Sequence, residues 1–370
     1  MAGTDEGPIR FVSNVSDTRV DRTYVRSHCY RRTMAQLRWT TTDRTSQEAL
    51  FDDVVERHIG RGRYEGLEFL HVEARSVINR IPFPGRFPFE YTINAYRGCS
   101  HACVYCFARP THDYLGLSIG SDFDSKIVVK INAPEIVRHE TEPRRWARHP
   151  IAMGTNTDPY QSAEGKYRLT RQIIEVLAER KNPFSVLTKS PLVLRDLDVL
   201  TEAAAVTEVT VDFSIGTVDE GVWKLSEPGT PHPRKRLDAV ARLTEAGIRS
   251  GVLMAPILPG LSDDPEQLEA VVEGAVSAGA RFIAGMYLHL RGPLKGHYLD
   301  WLAAARPELV RRHAGAYANS AYAPTDAQQH LSDLIRSLVE KHGGPTSDRT
   351  WSPRENAAAV SQAEQLTLRI

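Results

Sequence analysis

The chain is 370 residues long, 41% hydrophobic and 25% charged, a balance that excludes a largely disordered polypeptide and fits a soluble globular protein. Lys and Arg total 46, as do Asp and Glu, so the net charge is zero and no global field favours nucleic acid or an anionic membrane; a nucleic-acid site would have to be a local patch. Four cysteines in this length exclude a disulfide scaffold, and three of them crowd between Cys99 and Cys106, which points to metal chemistry in a reducing cytoplasm.

Taken in chain order, residues 1–10 are polar and acidic and lack the apolar region of a secretory signal. Residues 1–33 are arginine-rich without an apolar period and read as a disordered tail. An N-terminal extension follows over 34–86. Within it, 45–59 has helical spacing, with Leu50, Val54 and Val55 on one face, and Pro82, Pro84 and Pro88 form a rigid connector. From residue 91 apolar β-branched runs alternate with helical patterns. Strands are expected over 91–96, 127–131, 151–154, 184–188, 208–214, 250–255 and 282–289. Helices are expected over 167–180, 195–204, 234–246 and 265–278, with Gly247 and Gly279 as C-terminal caps of the last two. This rhythm predicts an α/β fold, a partial (β/α)6 barrel of TIM type, with its core over 87–291. No G-x-G-x-x-G follows a strand, which speaks against a dinucleotide-binding sheet. Helices over 301–313 and 326–341 make a C-terminal helical region, 292–345, and 346–370 reads as a flexible tail. Apolar runs such as 252–258 are too short to span a bilayer, so the chain is expected to be cytoplasmic and off the membrane.

The decisive segment runs from Asn94 to Arg109, directly after the first strand of the αβ body, where parallel folds place ligand-binding loops. Its cysteines, Cys99, Cys103 and Cys106, are spaced C-x3-C-x2-C. A structural zinc site wants four ligands, and His101 or His112 would have to complete one here. Thiolates equally suit an iron–sulfur cluster, and three of them leave one iron of a [4Fe–4S] cluster open to a substrate or cofactor. Cys29 offers a fourth thiolate in principle but reads as an incidental thiol in the tail. Two functions stand at this point: a cluster enzyme, or a non-catalytic metal-binding module holding iron–sulfur or zinc.

The segment around the cysteines resembles the loop of the radical S-adenosylmethionine (SAM) superfamily, and its neighbours are similar to the spore photoproduct lyase-like branch. The shared stretches are Tyr96-Arg-Gly-Cys-Ser-His-Ala-Cys103, Tyr105 to Pro110, Thr155-Asn-Thr-Asp158-Pro-Tyr160, Leu187-Thr-Lys-Ser190, Arg195-Asp196, Phe213-Ser214 and Ala255 to Gly260. An uncharacterised actinobacterial-type group also shares His289-Leu-Arg-Gly and the Trp301 stretch. The resemblance implies that Cys99, Cys103 and Cys106 hold a [4Fe–4S] cluster and that SAM binds its open iron. Reductive cleavage then gives a 5′-deoxyadenosyl radical, and a flavodoxin or ferredoxin supplies the electron.

On the same footing Lys189 would meet the SAM carboxylate, Thr157 and Asp158 its ammonium group, Ser214 its ribose and Tyr105 its adenine. Phe107 and Arg109 would face SAM or substrate, and Pro256 to Gly260 would wall the adenine. His289, Arg291 and Tyr160 are the candidates for contact with the substrate or its radical, with Tyr287 a second tyrosine of that kind. The substrate is unidentified; nucleic acid is one class, a peptide or small molecule the other. In the lyase, the resemblance implies, a cysteine donates hydrogen to the repaired thymine. Thr155 stands at the matching position, and an O–H bond is too strong for that donation, so efficient repair of spore photoproduct is not expected.

Overall fold

The computed structural model describes residues 54–81 and 89–345, all within one unit, Thr45–Ile370. Two sheets are present. The larger has the order β11-β10-β9-β8-β7-β4-β3. It comprises β3 (Ile78–Arg80), β4 (Tyr91–Ile93), β7 (Ile151–Met153), β8 (Phe184–Thr188), β9 (Val209–Ser214), β10 (Val252–Ile257) and β11 (Ile283–Tyr287). The six strands from β4 to β11 run parallel, and β3 pairs antiparallel with β4. Among the described residues β11 and β3 stay apart as edges, so the sheet is an open, partial barrel, as the strand count predicts.

Alternation along the strands explains the core. In β8 and β9 the buried apolar residues are Phe184, Val186, Val209, Val211 and Phe213, packed with Ile173, Leu177, Leu200 and Leu243 from the connecting helices. Each such side chain contributes about 1.5–3 kcal/mol by leaving water. The alternate residues Ser185, Leu187, Thr210 and Asp212 face the other side and are only partly buried. The helices Pro233–Glu245 and Pro265–Ser277 end in the expected glycines, at φ +77 and +74, with Ile248 and Ala280 N–H groups donating back to Leu243 and Ala275.

Four expectations need correction. The strand expected over 91–96 is split, with Tyr91–Ile93 in the larger sheet as β4 and Tyr96–Arg97 in the second as β5. The apolar run at 127–131 is a strand, β6 (Lys126–Lys130), but it lies in the second sheet, whose order is β1-β2-β6-β5. Because β4 pairs directly with β7, everything between them is an excursion, and an apolar run does not encode which sheet will bury it. The second sheet also contains β1 (Val54–Ile59), β2 (Glu68–Val72) and β5 (Tyr96–Arg97). The helical reading of 45–59 fails over 54–59, where β-branched Val54, Val55 and Ile59 form β1 and pair antiparallel with β2; its earlier part, and Pro82, Pro84 and Pro88, lie outside the described residues. The helix expected over 301–313 is two helices, Leu294–Ala305 and Val310–Ala316, broken at Arg306, which precedes Pro307 and leaves the helical region at φ −148°, ψ 67°. The final helix, Thr325–Lys341, packs on β11.

Candidate functional site

The cysteine loop leaves β5 at Gly98 and crosses the C-terminal rim of the parallel sheet. Cys99 and Cys103 are buried, Cys106 is half-buried, and none is in a disulfide. Burial pushes all three thiols up; at Cys99 the Asp158 carboxylate and the other two thiols add to it. They therefore stay protonated unless a cation draws off the proton, as a bound metal does. Among the described residues only one set of three ligand atoms lies within 4.8 Å of one another, and it is elsewhere in the fold. An all-thiol donor set on one loop is the donor chemistry that iron–sulfur clusters take.

The loop is braced from below and from the side. Thr157 Oγ1 and Gln161 Nε2 both donate to Gly98 O, at 2.6 and 2.9 Å, and Gln161 Oε1 accepts from Ser100 N–H at 3.0 Å. His101 Nδ1 lies 3.2 Å from Asp158 Oδ2. The Asp158 carboxylate also accepts from Thr188 Oγ1 and from the Lys189 and Tyr160 N–H groups. Burial would raise its pKa, but His101 and these donors win and hold it below the usual carboxylate value. On the other side Val104 N–H donates to Ser226 O and Gly229 N–H to His101 O, both at 3.0 Å. A Cβ on Gly229 would stand 2.2 Å from Ser100 O, so this close approach requires glycine.

At the ends of β8, β9 and β10 a buried polar network faces the loop. Lys189 Nζ donates to Ser214 Oγ at 2.7 Å and to Glu227 Oε1 at 2.9 Å, and Ser214 Oγ donates to Ala255 O at 2.6 Å. The Tyr105 hydroxyl donates to Glu227 as well. Arg236, wholly buried, ties Glu227, Thr230 and the Ser214 carbonyl together. Burial pushes the Glu227 carboxyl up, yet the Arg236 and Lys189 cations outweigh it and hold Glu227 well below the ordinary range. An ammonium group has three N–H donors, and two of those on Lys189 are used here.

Several expected site residues thus converge: Tyr105, Lys189 and Ser214 share one network beside Cys103, and the Lys189 ammonium lies 5.6 Å from the centre of the Tyr105 ring. Thr157 and Asp158 lie beneath the loop with their polar atoms engaged. Phe107, 52% exposed, stands beyond Cys106 and meets the His289 ring at 5.6 Å, and His289 in turn stacks on Tyr322 at 5.7 Å. Arg291 is exposed near the same rim, and Tyr287 is half-buried on β11. Two residues sit elsewhere than expected. Arg109 is buried and donates to Cys103 O, Ile119 O, Gly120 O and Asp124, so it staples the loop instead of facing a ligand. Tyr160 is buried in the main core, beside Asp196 and Glu164. His101 and His112 are taken by Asp158 and by Lys126 O. Sequence reasoning missed Glu227, Arg236 and Gln161. Glu227 follows the short helix Glu220–Ser226 in a Glu-Pro-Gly turn that reads as a linker, and only folding brings it to Lys189.

The Radical SAM superfamily profile matches residues 93–272, which include the three cysteines. An uncharacterized protein of Mycobacterium tuberculosis is 41% identical over 304 residues, 82% of this chain and 89% of the relative. One from Methanocaldococcus jannaschii is 31% identical over 235 residues, 63% of this chain and 83% of the relative. Among solved structures, spore photoproduct lyase complexed with dinucleoside spore photoproduct superimposes with a TM-score of 0.58 at 19% identity, covering 74% of this chain and 79% of the lyase. A lyase mutant structure with bound AdoMet and the same dinucleoside gives 0.57, also at 19% identity and with the same coverage. No helix among the described residues is long and apolar enough to cross a membrane. The profile match over the cysteine loop and the extent of the mycobacterial relative lead to one assignment: the chain belongs to the radical SAM superfamily of enzymes.

Proposed function

We propose that Cys99, Cys103 and Cys106 hold a [4Fe–4S] cluster and that SAM binds at its open iron. Together these groups supply a 5′-deoxyadenosyl radical that takes hydrogen from a substrate at the C-terminal rim. The observation that carries this reading is the set of three unbridged thiols, two buried and one half-buried, on a braced loop facing Lys189. The third N–H of Lys189 serves the SAM carboxylate, while Glu227 and Ser214 fix the ammonium group in position. The Ser214 oxygen and the Tyr105 side chain line the nucleoside side. Thr157 and Asp158 act by holding the loop and the Lys189 backbone. A flavodoxin or ferredoxin delivers the electron.

For the substrate, the exposed Phe107 ring, with His289, Tyr322 and Arg291 nearby, supports a stacking surface for a base and a cation for its phosphate. The dinucleoside in the lyase structures supports nucleic acid as the class. Thr155, whose hydroxyl accepts from Asn94 Nδ2 at 3.3 Å, offers no weak S–H bond, which argues against efficient repair of spore photoproduct unless a tyrosine donates the hydrogen instead.

The test is anaerobic reconstitution with iron and sulfide, followed by SAM and dithionite. Deoxyadenosine and methionine should form, and deuterium from a labelled oligonucleotide pool should appear in deoxyadenosine. A protein that binds zinc without sulfide, or makes no deoxyadenosine, is a metal-binding module instead. Catalytic formation of paired thymines from spore-photoproduct dinucleotide would overturn the argument from Thr155.

A further inference from the structure

The hairpin β1–β2 carries ligand chemistry that the cysteine loop does not use. Glu56 and His58 are two residues apart on a strand and so point to the same face. The antiparallel register sets Glu56 opposite His71 and His58 opposite Phe69, which makes His71 a direct neighbour of Glu56 and a diagonal neighbour of His58. The two imidazole centroids lie 4.3 Å apart with planes inclined at 42°. Glu56 Oε2 is 3.0 Å from His58 Nε2 and 3.8 Å from His71 Nδ1. All three ligand atoms fall within 4.8 Å of one another, the one such convergence of three among the described residues.

The inner histidine is held for this purpose from behind. His71 Nε2 is 2.8 Å from the Tyr167 hydroxyl. With its proton on Nε2 and donated to Tyr167, the ring keeps the Nδ1 lone pair turned toward Glu56. A metal-binding histidine is commonly oriented by such a partner on its second nitrogen. The side chains of Glu56, His58 and His71 are 60%, 34% and 12% exposed, so the set is anchored at one end and open to water at the other.

We propose that Glu56, His58 and His71 form a zinc-binding site that fastens the edge strand β1 to β2. Two imidazoles and one carboxylate suit zinc and its neighbours in the transition series and are a poor cage for calcium or magnesium, which take oxygen ligands. Three protein ligands leave the fourth position to water. The tie matters mechanically because, among the described residues, β1 is hydrogen-bonded on one side only, at the edge of the sheet. The inference is independent of what the cysteines bind.

The experiment uses the full chain with its cysteines occupied by reconstituted iron and sulfide, equilibrated with zinc and then freed of excess metal. Elemental analysis should find one zinc ion per chain. Glu56→Gln and His58→Ala, both at partly exposed positions, should lose that ion while keeping wild-type iron content and circular dichroism. Cobalt in place of zinc should give ligand-field bands without sulfur-to-metal charge transfer, and Tyr167→Phe should weaken cobalt binding about 10–100-fold, as loss of an orienting partner does. Zinc content unchanged in both variants, no retained zinc in the wild type, or a cobalt spectrum with thiolate charge transfer would overturn the site. The wild-type cobalt spectrum decides the matter even if a variant misfolds.

Discussion

The rim of the large sheet and the β1–β2 hairpin both gather charged side chains, and they satisfy them in opposite ways. At the rim Glu227 and Arg236 are cut off from water, at 4% and 0% exposure, so every charge depends on a protein partner. On the hairpin Glu56 is largely exposed, and water solvates the carboxylate whether or not a histidine is near. Removing one partner of a buried pair leaves the other uncompensated, whereas exposed pairs contribute little. The rim is thus rigid machinery that its own fold requires. The hairpin is a place where ligand residues are present without being needed for folding.

The contrast can be broken at four points, from the largest expected effect to the smallest. Replacing Cys99, Cys103 or Cys106 by Ala should abolish iron binding and SAM cleavage together, while Cys29→Ala should leave both unchanged, measured by iron content and deoxyadenosine yield. Full cleavage in any of the three single variants would refute the ligand set. Arg236→Ala should cost about 3–5 kcal/mol in urea denaturation, since it removes the stronger of the two cationic partners of the buried Glu227 carboxylate and leaves Lys189 alone to balance it. A loss below about 1 kcal/mol would mean that water reaches the rim and the two regions are alike.

A third test lies one step below the rim. Asp212, two residues before Ser214, accepts from Gly251 N–H at 2.9 Å but, among the described residues, has no cation bonded to it as Glu227 does. Burial pushes its pKa from 3.8 to about 7, with the Gly251 N–H and Arg249 opposing weakly. The folded state therefore holds a proton that the unfolded chain has lost across that window. Stability should fall as pH rises from the ordinary carboxylate range through about 7, and level off above it. Asp212→Asn should remove this slope in urea midpoints measured on both sides of the window; an unchanged slope assigns it to another group. Last, Glu56→Gln in metal-free protein should shift stability by less than about 1 kcal/mol, as surface changes do. A larger loss would make the hairpin structural, like the rim.

The two regions also differ in how far the sequence reveals them. The cysteines are contiguous, so their chemistry is legible before any fold is known, and the strand endings at Lys189 and Ser214 follow from the βα rhythm. The Glu227–Arg236 pair has no such signal: a buried arginine in the helix Pro233–Glu245 looks like one of several surface cations in Pro-Arg-Lys-Arg. The hairpin is hidden for a different reason. Glu56 and His71 become neighbours only through a particular register, and the apolar pattern of 45–59 suggests a helix that would separate them. Likewise Ile127, Val128 and Val129 announce burial and a strand, but not the sheet they join. Periodicity speaks for one element at a time; pairing between elements is a property of the whole.

The hydrogen bonds from Val104 to Ser226, from Gly229 to His101 and from Arg109 to Cys103 have a consequence for assembly. A loop tied at so many backbone points loses its conformational entropy when the chain folds, not when iron arrives. On the proposed function, cluster insertion would then resemble loading a preformed chelate: little ordering would remain to oppose it, so less of the iron–sulfur bonding energy would be consumed in arranging the ligands. A small zinc-dependent domain behaves in the opposite manner, with the metal acting as the core and its removal unfolding the chain. Here chelation should empty the loop and leave the backbone standing, so amide hydrogen exchange over residues 98–109 should hardly change between the iron-free and iron-loaded forms.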